Sequence, residues 1–265
     1  MTRVIEATKL NFKEDELMRI AVLSDIHSNL YALEAVVADI ENRGVDVVVN
    51  LGDILYGPIA PRATYERLRE LDFVTICGNQ DRQIYQASAA DCATNPTMQF
   101  ILDDLGPEPL QWMQQLPFDL QLNEQVYLCH ASPGDDLIYL VDDVSQGFAQ
   151  LRSEHEILAL LEGQTSPLIL CGHSHTPRVV NIGEQQLLVN PGSVGLQAYR
   201  DDWPNSHVME NFSPHARYAI VELTAQGWTV AQYQVAYDIQ KAVALAELRG
   251  RDDWAYALVS GRASN

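Results

Sequence analysis

Basic residues are scarce in this chain. Its 265 residues hold 17 Lys and Arg against 36 Asp and Glu, a formal net charge of −19. A nucleic-acid groove depends on Lys and Arg neutralising phosphates, so DNA or RNA polymers are not expected partners. Adsorption to an anionic membrane is disfavoured for the same reason. A small anionic substrate is not, because a bound cation inverts the field of a single cleft. Long apolar runs are also missing. Stretches such as Val45–Leu51 are strand-sized and interrupted, far below the roughly 20 residues of a membrane span. Residues 1–17 carry four acids and no apolar stretch of the length a secretory signal needs. Cysteine is sparse, with Cys77, Cys92, Cys129 and Cys171 forming no CxxC pair. Three of the four sit in apolar runs, so all are read as reduced, buried small hydrophobes in a cytoplasmic protein. No internal repeat or low-complexity linker is visible. What remains is an ordinary globular composition, 47% hydrophobic and 20% charged, in a chain long enough to bury a core without staples.

Residues 1–17 read as an extension ahead of the first core strand, with Arg3–Thr8 a candidate edge strand. Arg19–Asp25 is a continuous apolar run, the mark of a strand covered on both faces. Leu33, Val36, Val37 and Ile40 then mark one face of a helix, with Asn29 as N-cap and Gly44 as stop. Val45–Asp53 reads as a second buried strand, Pro61 opens a helix to about Leu71, and Phe73–Asn79 reads as a third strand. This βαβαβ order predicts a largely parallel sheet with right-handed crossovers. Residues 81–117 are polar and proline-bearing, a helical excursion over one end of the sheet. Strands resume at Gln125–Ala131 and Pro167–Cys171, with a helix at about Gln146–Glu162 between them. One hairpin pairs Arg178–Ile182 with Gln186–Asn190, turning near Gly183-Glu184. Another pairs Tyr218–Leu223 with Trp228–Tyr237. This strand-rich second half suggests a second, more antiparallel sheet packed on the first. Residues 239–265 read as a C-terminal helical tail.

Chemistry-bearing residues follow the buried strands. They are Asp25-Ile26-His27, Gly52-Asp53, Gly78-Asn79, Cys129-His130 and Gly172-His173-Ser174-His175. Ligands in open α/β sheets bind outside the carboxyl ends of the strands, so these five sites can converge on one cleft. Taken singly, Gly-Asp and Gly-Asn are ordinary turns, and a lone His130 is more often a satisfied histidine than a ligand. Taken in order, each at a strand end, they read as metal ligands. Imidazole, carboxylate and one amide oxygen suit borderline divalent metals, and seven donors fit two ions better than one.

The series Asp25-x-His27, Gly52-Asp53, Gly78-Asn79, His130 and Gly172-His173-x-His175 resembles the calcineurin-like metallophosphoesterase superfamily over about residues 18–240. Tyr56-Gly57-Pro58 and Asn190-Pro191-Gly192-Ser193-Val194-Gly195 are similar to its small bacterial and archaeal phosphodiesterase branch. The resemblance implies an α/β fold, a four-layer α/β/β/α sandwich of two mixed sheets flanked by helices. It implies one metallophosphoesterase domain over 18–265. It implies two divalent metal ions, Mn²⁺ favoured, with Fe, Zn²⁺, Ni²⁺ or Co²⁺ also suited. Asp25, His27 and His175 would hold one and Asn79, His130 and His173 the other. Asp53 would bridge, and a bridging hydroxide would be the nucleophile.

One position departs from the family pattern. Most members carry a histidine after Gly-Asn, thought to contact phosphate or protonate the leaving group, and here it is Gln80. Glutamine donates a hydrogen bond but transfers no proton at neutral pH. This favours phosphodiesters with acidic leaving groups, or phosphoanhydrides of nucleotide-like substrates, over protein phosphoserine. A phosphomonoesterase or protein phosphatase is the rival within enzymes. A non-catalytic scaffold, like the related retromer subunit, is the rival outside them, although all seven ligand positions here keep a competent side chain. Asn29, Tyr56 and Arg200 are candidate substrate contacts, with Asn29 equally a plain helix cap. The stretch Arg200–Arg217, holding His207 and His215, reads as a solvated loop rather than a lid, and the acids at Glu14–Glu16 and Asp135–Asp136 as solvated surface. Ser193 and the Trp112/Met113 face read as structural. The oligomeric state is not legible.

Overall fold

The structure, a computed structural model, describes residues 18–183 and 185–264. In chain order the elements are β1 (Arg19–Leu23), α1 (Leu30–Arg43), β2 (Val47–Asn50), α2 (Pro61–Glu70) and β3 (Val74–Thr75). Four short helices follow: α3 (Asn79–Gln86), α4 (Ala89–Thr94), α5 (Pro96–Leu105) and α6 (Pro107–Met113). Next come β4 (Asp119–Gln121), β5 (Val126–Cys129), β6 (Asp142–Asp143), β7 (Gln150–Leu151), α7 (Glu154–Leu160) and β8 (Leu168–Leu170). The last part holds β9 (Arg178–Ile182), β10 (Gln186–Asn190), β11 (Ala198–Asp201), β12 (His207–Glu210), β13 (Ala216–Thr224) and β14 (Gly227–Val235). Helices α8 (Ile239–Leu248) and α9 (Asp252–Ser260) close the chain.

Two five-stranded sheets result, ordered β14-β13-β1-β2-β3 and β4-β5-β8-β10-β9. Period-two alternation sets the layers. Ile20 and Val22 of β1 face the second sheet, where they join Val126, Leu128, Leu168, Leu170 and Val189 in one core. Ala21 and Leu23 face the other way, onto Leu33, Val36 and Ile40 of α1. On the far face of the second sheet, Cys129, Ile169 and Leu188 pack on Ile157 of α7. Helix, sheet, sheet and helix thus form the four layers expected. Each fully buried Leu, Ile or Val in these cores contributes about 1.5–3 kcal/mol over its exposed state.

Helix α1 forms where its spacing predicts. Asn29 accepts from the Ala32 N–H, Gly44 at φ +66 ends it, and Ala32, Leu33, Val36, Val37 and Ile40 are buried. Other expectations are corrected. The third strand is only Val74–Thr75, and Asn79 is the first residue of α3 rather than a strand end. Residues 146–153 are not helical, because the chain turns back there and β7 pairs with the preceding β6 before α7 begins at Glu154. The second sheet is not the more antiparallel one. Each sheet has two parallel and two antiparallel neighbour pairs, because the last hairpin pairs with β1 in the first sheet. The stretch 200–217 is no solvated loop, since β11 and β12 pair along it and His207 is buried. Asp136 is not solvated either. It is buried and takes two hydrogen bonds from Arg82, each 2.7 Å. The Arg3–Thr8 strand, the acids at Glu14–Glu16 and the turn residue Glu184 lie outside the described residues. Among the described residues, no helix is long and apolar enough to cross a membrane, and the four cysteines are free, three of them buried.

Candidate metal centre

The turns that follow β1, β2, β5 and β8 come together and carry the acidic and histidine ligand candidates. Asp25, His27 and His175 form one group, and Asp53, His130 and His173 another, with donor atoms within 4.8 Å of one another in each. All six are buried. The His173 N–H donates to Asp25 Oδ2 at 3.2 Å, which ties the two groups together. Asn79 also reaches the second group, with its Oδ1 3.0 Å from His130 Nε2.

Backbone strain concentrates here. Asp25, His27, Asp53, His173 and His175 all have left-handed φ, between +50 and +66, as does Ser28. Each such non-glycine residue costs about 1–3 kcal/mol and persists only where its surroundings enforce it. The enforcement is visible. The Asp25, His27 and Ser28 N–H groups donate to the carbonyls of Gly52, Asp53 and Ile54 at 2.9–3.0 Å. Ser193 Oγ donates to Asp25 O at 2.8 Å, so Ser193 is structural as read. Asp81 accepts from the N–H groups of Asp53, Ile54 and Gly78 at 2.9–3.0 Å. The sequence reading gave Asp81 no role. Burial, followed by the nearby Asp53 charge, pushes its carboxyl up to about 7. Glycine is required at Gly78, where an added Cβ would stand 2.2 Å from Asp53 Oδ1.

The hydrogen bonds orient each imidazole. His27, His130 and His175 direct Nδ1 at the carbonyls of Tyr56, Leu51 and Leu196, at 3.0, 2.7 and 2.7 Å. His173 directs Nε2 at Leu137 O at 3.0 Å. Those carbonyls take one N–H from each ring, which turns the other nitrogen inward. Two observations fit a cation. His27 Nε2 and His175 Nε2 lie 2.9 Å apart, two lone pairs facing each other once Nδ1 holds the proton. Asp25 Oδ1 is buried and accepts no hydrogen bond from the described residues, with His175 Nε2 3.4 Å away. Burial, and after it the neighbouring His175, lowers His27 to about 4, so it is neutral as a ligand must be. Burial and His130 hold His173 at about 4 likewise. Burial alone would lower His130, but the Asp53 carboxylate outweighs it and raises the imidazole to about 10. A cation shared by these two side chains would replace that proton.

A cavity of about 460 Å³ opens over the groups. Gln80 lines it, anchored by its N–H to Asp53 Oδ1 at 2.8 Å, with Oε1 buried and without a partner among the described residues. Tyr56 and Arg200 line it, and so do Tyr139 and Tyr199, to which the sequence assigns no role. Asn29 does not. Its amide caps α1 and donates to Gly195 O at 2.9 Å, so the substrate-contact expectation for Asn29 is overturned. His155 and His215 join neither group, and His155 is exposed. One wall comes from the C-terminal segment through Arg251, Asp253, Trp254, Ala257, Ala263 and Ser264. Trp254 meets His27 edge-on at 5.8 Å.

The model of the calcineurin-like phosphoesterase superfamily domain matches residues 18–223. The chain belongs to this superfamily. An uncharacterized protein of Methanocaldococcus jannaschii is 29% identical over 235 residues, covering 84% of this chain and 89% of its own. A metallophosphoesterase from Sphaerobacter thermophilus superposes with a TM-score of 0.73 at 25% identity, covering 93% of this chain and all of that one. Every ligand candidate of this metallophosphoesterase lies inside the matched residues. The C-terminal cavity wall, from Arg251 onward, lies outside them.

Proposed function

We propose that this metallophosphoesterase hydrolyses phosphodiester or phosphoanhydride bonds of small, nucleotide-like substrates, using two divalent cations, Mn²⁺ favoured. The observation that carries this reading is the pair of buried, mutually tied groups under one cavity. Asp25, His27 and His175 would hold one ion. Asn79, His130 and His173 would hold the other, with Asp53 shared. Bound there, the ions would activate water at neutral pH and neutralise charge on phosphoryl oxygens. The chain's own residues do the rest. The Gln80 amide donates to a phosphoryl oxygen without moving a proton, which favours leaving groups stable as anions. Arg200 receives a second anionic group at the rim. A cavity of about 460 Å³ falls in the range of small-molecule sites, roughly 300–1,000 Å³. Buried free thiols support a reducing, cytoplasmic setting.

The test is hydrolysis of a bis-aryl phosphate by metal-stripped protein titrated with Mn²⁺, with Asp53→Asn alongside. Turnover should appear with metal and be lost in the variant. Activity on the mono-aryl phosphate alone would overturn the diesterase assignment. Silence on both esters with Mn²⁺, Zn²⁺, Ni²⁺ and Fe²⁺ would overturn catalysis itself.

A further inference from the structure

His207 is 1% exposed, although it lies in a polar stretch between the last ligand motif and the final hairpin. The ribbon of β11 and β12 holds it there, and Val208 N–H donates to Gly147 O at 3.0 Å. Its Nδ1–H donates to Asn205 O at 2.7 Å, which leaves Nε2 to accept the Tyr139 hydroxyl at 3.0 Å. The Tyr199 hydroxyl has one proton and two acceptors, the Tyr139 oxygen at 2.9 Å and the His173 carbonyl at 3.1 Å, so it is tied both to Tyr139 and to the backbone of a ligand candidate. Neither tyrosine is a ligand candidate, yet each packs on one. Tyr139 stacks on His173, with centroids 4.5 Å apart and planes at 24°. Tyr199 meets His175 at 4.6 Å and 65°. One histidine outside the cavity therefore anchors two rings that lean on one imidazole from each group.

We propose that His207 is a positioning residue for both metal groups. Acting through Tyr139 and Tyr199, it fixes the rings of His173 and His175 and so sets the affinity of the ions they hold. The inference rests on the two-cation reading above. Its physical basis is that satisfied buried polar networks rigidify the side chains they join, and that groups orienting a ligand ring control metal affinity.

The experiment is calorimetric titration of Mn²⁺ into the stripped full-length protein and three variants, with circular dichroism to verify folding. Tyr139→Phe keeps the stacked ring and deletes one oxygen. His207→Phe keeps an aromatic ring and deletes the acceptor. His207→Gln restores an acceptor near the Nε2 position. The first two should weaken at least one Mn²⁺ binding event about ten- to a hundredfold, and His207→Gln should recover most of that loss. Binding by Tyr139→Phe within about twofold of wild type overturns the proposal, and it decides alone if His207→Phe does not fold. Equal losses in His207→Gln and His207→Phe also overturn it, because packing alone would then explain His207. Fewer than two Mn²⁺ ions on the wild-type protein would overturn the two-cation reading, and the inference with it, before any variant is compared.

Discussion

Gln80→His isolates the consequence of the one departure from the family pattern. The structure lets the substitution be small. Gln80 holds Asp53 through its backbone N–H, which a histidine retains. Its side-chain Oε1 is buried without a partner among the described residues, and an orphaned acceptor of this kind costs about 1–3 kcal/mol. Replacing it should therefore not lower stability. An imidazole in the same place can give up a proton, and a positioned general acid contributes about 10²–10⁴ in rate. A hundredfold gain corresponds to about 2.7 kcal/mol of barrier. The gain should appear only where the departing oxygen needs a proton. The assay is kcat/KM for a series of phosphodiesters whose leaving groups run from 4-nitrophenol to simple alkyl alcohols. The wild-type enzyme should slow steeply as the leaving group becomes more basic. The variant should match it at the acidic end and exceed it by about a hundredfold at the alkyl end. Parallel slopes for the two proteins would refute the reasoning, since Gln80 would then not be what limits basic leaving groups.

Gly195→Ala would place a Cβ 1.8 Å from Ile26 O, a backbone atom between Asp25 and His27. The expected loss is about 1–3 kcal/mol or more, with weaker Mn²⁺ binding, and an unchanged urea midpoint would contradict it. Arg200→Gln removes a cavity-lining cation that, unlike Arg251 with Asp253, has no carboxylate partner among the described residues. KM should rise about ten- to a hundredfold for a substrate with a second anionic group and distinctly less for a singly charged diester, so equal rises would refute the assignment. Asp39 is held below its usual range by its hydrogen bond with Arg43, and further by the Tyr218 hydroxyl 2.6 Å away. A lowered carboxylate contributes stability that is present above about 3.8 and lost as pH falls through its folded value. Asp39→Asn should therefore melt below wild type at pH 7 with the gap closing under pH 4, and a pH-independent gap would count against it.

The sequence by itself determined what is local. Continuous apolar runs marked β1, β2, β5 and β8, because strands buried on both faces need no alternation. All ligand candidates but Asn79 sat just beyond these runs, and the spacing of Leu33, Val36, Val37 and Ile40 with Asn29 and Gly44 marked α1 from cap to stop. Each of these signals reports hydrogen bonds within a few residues or burial of one face, so a linear reading captures it. Tertiary structure decided the rest. The pairing of β13 with β1 closes a loop of nearly two hundred residues, and no periodicity in either strand names the other as partner. The left-handed φ at Asp25, His27, Asp53 and His173 is held by carbonyls and carboxylates from other turns. Asp81 looks like any acid after a turn until three N–H groups converge on it, and His207 looks solvated until Tyr139 and Asn205 enclose it. The wall of Arg251 and Trp254 follows from how α8 and α9 bury Ala242, Ala246 and Leu258 against Ile59 and Leu196. Side-chain types at strand ends name the chemistry. Its geometry is set by contacts between segments far apart in the chain, whose encounter depends on packing the whole core.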